Sequence, residues 1–201
     1  MSYHITPQPF IVGALLERVE THNADVAAWN ADKAKLRANR KRILDADPFS
    51  IDPATLSATR EKLTADYLSL LQREAAIAEA TLALLEELAP ICHEAEQKAL
   101  ADAEAVLSQV LAKMAKAGIT LESQQAWPHN PGAARHQLEH QGKQSSDYRA
   151  AYVAAQEVKE ACSNLVKQKM SLKSALDAIR NDAKRLIEKA VAGDSAGLQL
   201  A

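Results

Sequence analysis

Turn-forming residues are scarce in this chain: six glycines and seven prolines are spread over 201 residues. A many-stranded sheet, whose hairpins need turn residues at short intervals, is thereby excluded. Aromatic residues make up 4% of the sequence, too few to fill a large, deep core. The two cysteines, Cys92 and Cys162, form no Cys-x-x-Cys pair, so neither a disulfide framework nor a zinc ribbon is available. Both fall within apolar helical patterns, where a small buried thiol is expected and a reducing, cytoplasmic setting follows. Neither sign of charge dominates. With 24 lysines and arginines against 26 aspartates and glutamates, the net charge is −2, and nothing global draws the protein to nucleic acid or an anionic membrane. No run of eighteen apolar residues occurs, and the most apolar window, 75–89, contains Glu79, Glu86 and Glu87. A transmembrane segment is therefore not expected. Near the N-terminus no basic stretch precedes an apolar one, so export by a signal peptide is not expected either. A phosphate-binding glycine loop and a nucleophile elbow are also missing, and no cofactor is expected.

What is present is helical periodicity. The sequence is 47% hydrophobic and 25% charged, and its wealth of Ala, Leu, Glu and Lys favours long helices and coiled coils. Residues 1–8 read as an extended arm, because Pro7 and Pro9 prevent an early helix. A first helix is expected over 9–46. Its apolar seam steps three-then-four through Val12, Leu15, Val19, His22, Val26, Trp29, Lys33, Leu36, Arg40 and Ile43. A seam held this long in one register marks a coiled coil rather than a generic amphipathic helix. Lys33 and Arg40 occupy seam positions, where a cation must snorkel, pair with an acid of a neighbour, or fix the register.

After a break at 47–53, Asp52 serves as an N-cap and Pro53 as a first helical residue. The second helix is expected over 53–117, closed by Gly118. Its seam passes through Leu56, Leu63, Tyr67, Leu70, Glu74, Ile77, Thr81, Leu84, Leu88 and Ile91, then shifts phase to Leu100, Ala103, Leu107, Val110 and Met114. Pro90 lies at the shift and predicts a kink or a short break. Residues 118–146 form the one long irregular loop, with a short helix over 133–141 as an option. The third helix, 146–192, holds a seam from Tyr148 through Ala155, Cys162, Leu165, Leu172, Leu176, Ile179 and Ala183 to Ala190, and 193–201 is a weakly patterned tail. Rods of roughly 57, 97 and 70 Å cannot make a ball. The expected fold is all-α: a single elongated domain over 1–201, an antiparallel bundle or coiled coil of three long helices with the second as its spine.

The sharpest chemical motif is His136-Gln137-Leu138-Glu139-His140, which matches the H-x-x-E-H string of inverzincin metallopeptidases. On a helix His136 and His140 would share a face, with Glu139 available as a base. The context opposes this. The string is hemmed by Pro131, Gly132 and Gly142, and the further ligand would have to come from Glu157, Glu160 or distant Glu188. A non-catalytic metal site including His129 is the stronger metal reading, and a polar segment with chance histidines is better still. The six cations Lys33, Lys35, Arg37, Arg40, Lys41 and Arg42 surround the whole helix without interleaved aromatics, so a solvated helix end is preferred to a phosphate-binding patch. His22 reads as a hydrogen-bonded interface residue, and Asp102 and Glu104 as charged exterior rather than an acid–base pair.

The function expected is therefore that of a non-enzymatic structural or interaction protein. It would associate with copies of itself or with a larger assembly, such as a bacteriophage virion made in the cytoplasm. Trp29, Lys33, Arg40, Trp127, Leu165, Leu172 and Ile179 are the candidate interaction residues. The alternative is a membrane-associated helical protein, for remodelling or pore formation. Its helical turns would offer only Phe49, Ile51 and Trp127 for insertion, which makes poor tips. Nucleic acid is not an expected partner, and a membrane surface is not favoured.

Overall fold

The computed structural model describes residues 2–45, 52–120 and 131–191. Among the described residues there are four α-helices and no strand: α1 (Gly13–Leu44), α2 (Pro53–Lys116), α3 (Pro131–Lys143) and α4 (Ser146–Val191). No helix among them is long and apolar enough to cross a membrane. Phe49, Ile51, Trp127, His129 and the tail 193–201 lie outside the described residues. Contacts gather the chain into two compact units. The first comprises Met1–Glu87 with Val166–Ala201, the second Leu88–Leu165.

Helix ends follow local chemistry. Before α1, residues 7–12 turn instead of beginning the helix at Pro9: the Ile11 N–H donates to Gln8 O at 2.9 Å, and α1 starts at Gly13. Asp52 caps α2 as expected, its carboxylate accepting the Thr55 N–H at 3.0 Å and the Thr55 hydroxyl at 3.1 Å. The backbone bond from Thr55 is the main reason the Asp52 carboxyl titrates below its ordinary value. At the other end, Gly118 takes φ +81°, which only glycine adopts freely. Its N–H donates to Ala115 O and the Ile119 N–H to Met114 O, both at 3.0 Å, the paired closure of a Schellman motif. Ser145 caps α4 through its hydroxyl, 3.2 Å from the Tyr148 N–H.

Two expectations need amending. First, α2 runs through Pro90 without the short break allowed for there. Proline removes one backbone bond there, yet the packing of Leu84, Leu85, Leu88 and Cys92, all buried on either side, holds the helix. The phase shift appears as a step of four where three is expected: Cys92 is buried and Ile91 only half-buried. Second, the stretch 118–146, expected as a loop with an optional short helix over 133–141, contains α3, which is longer than that option at both ends. Its Ala134 is buried, and Gly142 lies against α2, where an added Cβ would come within 3.0 Å of Leu107 Cδ1 and Leu111 Cδ2. Glycine at 142 permits this close approach, and tertiary packing outweighs its poor helix propensity.

Each unit brings three helical segments together. In the first, the pairs Arg18–Glu87, His22–Thr81 and Asp32–Arg73 run in opposite sequence order along α1 and α2, so these helices are antiparallel. Arg180 meets Glu79 at 2.8 Å across α4 and α2. The apolar centre contains Tyr3, Val26, Trp29, Ile77, Ala78, Leu172 and Leu176. In the second unit α3 is the third helical segment. The pairs Cys92–Cys162 and Lys113–Asp147 make α2 and α4 antiparallel there. The Cys162 thiol donates to Cys92 O at 3.4 Å. Burial pushes the Cys92 thiol up to about 12 and raises that of Cys162 as well, so both are neutral packing groups rather than nucleophiles.

Leu172, 1% exposed, sits at the centre of the first unit. Replacing it with alanine should remove about 2–5 kcal/mol of stability, the range for emptying a buried leucine site. Urea unfolding followed by circular dichroism measures this, and an unchanged midpoint would show that the centre lies elsewhere.

Candidate interaction site

The most elaborately built polar site in the first unit is where the N-terminal arm lies on the helices. Residues 2–6 are extended and alternate in burial: Tyr3 and Ile5 face inward while Ser2, His4 and Thr6 are exposed. This is strand periodicity, but among the described residues no second strand supplies partners. Side chains of the helices do so instead. Gln168 Nε2, on α4, donates to Ser2 O at 3.1 Å and to His4 O at 3.0 Å. On α1, His22 Nε2 lies 3.1 Å from Tyr3 O. Asn23 holds Ile5 on both sides, accepting its N–H at 2.9 Å through Oδ1 and donating to its carbonyl at 2.7 Å through Nδ2. The four successive carbonyls of residues 2–5 are all captured.

The His22 geometry fixes its tautomer. A carbonyl oxygen only accepts, so Nε2 must carry a proton and donate to Tyr3 O. Thr81 Oγ1 donates to Ile77 O at 2.7 Å, which spends its own proton, so at 3.0 Å from His22 Nε2 it accepts a share of the same N–H. His22 and Thr81 are the buried polar residues of the core, and this chain satisfies both, as burial requires. His22 is thus the hydrogen-bonded seam residue expected from the sequence, and its partner is this chain's own arm.

Two apolar sockets complete the site. Ile5 is fully buried. The Tyr3 ring packs edge-on against Trp29, with centroids 5.7 Å apart and planes at 78°, and its hydroxyl donates to Glu74 Oε1 at 2.9 Å. Burial first, then the Glu74 bond and charge, push the Tyr3 phenol well above its ordinary value. Trp29 in turn donates Nε1–H to Leu70 O at 3.1 Å, so the indole is satisfied on its polar edge and covered on its faces. Burying Tyr3 and Ile5 contributes about 1.5–3 kcal/mol each before ordering costs.

The remaining candidates are distributed as follows. Trp29, Leu165 and Leu172 are buried among this chain's own residues, and Ile179 is half-buried. Lys33 places its ammonium 4.5 Å from the Trp29 ring centroid, a cation–π contact that explains a lysine on an apolar seam. Arg40 is half-buried. In the basic stretch, Lys35 pairs with Asp32 at 3.3 Å, and Asp32 also meets Arg73 at 3.0 Å across the helices. On α3, His136 and His140 are both exposed, and Glu139 pairs with Arg135 at 3.5 Å. Among the described residues no three histidines, cysteines or carboxylates come together to hold a metal. The arm's recognition site was missed from the sequence, where Tyr3-x-Ile5 ahead of Pro7 was its one visible trace.

Alanine at Tyr3 should cost about 3–5 kcal/mol, as for other buried aromatics. Alanine at His136 and His140 should each change stability by less than about 0.5 kcal/mol, as for exposed positions. Thermal melts of the three variants check the contrast, and comparable losses at all three would contradict this assignment. Compared with known protein families, curated proteins and solved structures, the chain finds no match.

Proposed function

We propose that this chain is a non-enzymatic assembly protein that associates, in coiled-coil fashion, with further copies of itself and through them with a larger structure, of which a virion is one example. The observation that carries this reading is the apolar surface left on α4 after its inner seam is covered. In the first unit, Met170 is 68% exposed and Val166, one turn before it, is 46% exposed. Their i, i+4 spacing puts them on one helix face, the arrangement that a second helix packs against. In the second unit, Tyr152 and Val153 are likewise exposed, and Tyr152 stacks on Tyr148 with ring centroids 5.8 Å apart. Single exposed apolar residues are ordinary on a protein surface, whereas neighbouring ones on a helix face support an interface.

The polar chemistry supports the same reading. The buried hydrogen-bonding residues, His22 and Thr81, are occupied in holding backbone, and the histidines of α3 stand on an open surface.

Light scattering across a concentration series tests the proposal. The wild-type chain should show a mass above that of one chain, and Val166→Glu with Met170→Lys should lower it while helicity stays unchanged. A strict monomer at every concentration would overturn the proposal.

A further inference from the structure

The site that holds residues 2–5 recognises an extended backbone, and nothing in its hydrogen bonds depends on how that backbone reaches it. Among the described residues, the bonds that fasten residues 2–5 run through side chains of the helices: Gln168, His22, Asn23 and, for the Tyr3 hydroxyl, Glu74. Exchange of the arm therefore breaks no backbone hydrogen bond of a helix or sheet. The arm's connection to α1 suits such movement. Pro7 and Pro9 lack N–H groups and restrict φ, and the Ile11 N–H closes the turn onto Gln8 O.

We propose that this site takes the arm of a second copy of the chain, so that two copies exchange N-terminal arms. The occupant follows from the chemistry of the site. It fits an aromatic residue and an isoleucine two positions apart, with the phenol aimed at Glu74, and this chain carries that segment. An exchanged pair remakes each of these contacts, so exchange forfeits none of them, which is why swapping is a low-cost route to association. The connection also has unfilled room beside it. Val12 is 70% exposed, and a Cβ placed on Gly13 would meet nothing within 4 Å. When arms cross between copies, their two connecting segments lie side by side, and Val12 gains cover. This inference rests on the self-association proposed above and specifies a contact that produces it.

Two full-length variants test it by complementation. One carries Tyr3→Ser and Ile5→Ser, which spoils its arm but leaves its site. The other carries Asn23→Ala and Gln168→Ala, which spoils its site but leaves its arm. Circular dichroism first establishes that both are helical. The site-defective variant is labelled with 15N, and exchange of its Ile5 amide is followed alone and after mixing with the unlabelled arm-defective variant. Exchange of arms predicts at least about tenfold slower Ile5 exchange on mixing, about 1.4 kcal/mol of added protection. An unchanged rate overturns the inference.

Should either variant fail to fold, the wild-type chain and a synthetic peptide of residues 1–8 replace them. The peptide should lower the mass of the wild-type assembly, and unchanged mass at saturating peptide overturns exchange. The two proposals fail separately. Self-association that ignores the peptide and the arm substitutions removes arm exchange alone, whereas a strict monomer removes both.

Discussion

The first unit depends on one apolar contact: Leu172 and Leu176 of α4 against Ile77 and Ala78 of α2, with Val26 and Trp29 of α1 closing the third side. A helix satisfies its own backbone, but it cannot bury its apolar face alone. The three segments therefore stabilise one another or none is stable. Tyr3 packs on this centre rather than beside it, which makes the arm part of the core. Its presence explains the polar residues at the seam. His22, Thr81 and Glu74 would each break an apolar seam, yet each holds an atom of the arm or of a residue bonded to it.

This division of labour gives the packing its specificity. Apolar residues of suitable volume can slide past one another at modest cost. A His22 N–H shared between Tyr3 O and Thr81 Oγ1 allows one arrangement, because displacing either partner leaves a buried polar group unpaired. At the surface, the two-bond pairing of Arg18 with Glu87, both bonds at 2.7 Å, and the Arg180–Glu79 pair select the same alignment. Their exposure means that they guide register more than they stabilise. In the second unit, Ala155, Cys162 and Ala103 are buried small residues that permit close helix approach, and Gly142 does the same for α3.

Much of this was legible in the sequence, for identifiable reasons. The seams of the first and third expected helices match the burial of Val19, Val26, Trp29, Ala155, Cys162, Leu165, Leu172 and Ala183, because heptad spacing fixes which residues share a face. Asp52 and Gly118 were legible as caps, because their roles are local. What was hidden depends on distant neighbours. The α3 segment contains Gly132, Gly142 and several polar residues, so the sequence offers its helix only as an option over 133–141, and packing such as that of Gly142 on Leu107 and Leu111 supports the longer helix. The continuity of α2 through Pro90 likewise needs the buried residues around it. The arm is the plainest case. Tyr3 and Ile5 carry a two-residue alternation too short to signal anything, and the arm's partners lie at positions 22, 23, 74 and 168.

The segment proposed to pass between copies is one that the first unit needs, so under that proposal folding and association are linked. The claim beneath this account is that arm and helices form a single cooperative structure. Trp29 reports on it directly, because Tyr3 packs against its ring and Leu70 accepts its N–H. In a Trp127→Phe background, where Trp29 is the remaining tryptophan, urea unfolding should be followed by both Trp29 fluorescence and far-ultraviolet circular dichroism. The account predicts that the fluorescence change coincides with the loss of helix in the first unit. A Trp29 transition completed while helicity is intact would contradict it, because the arm would then be a detachable covering rather than part of the core.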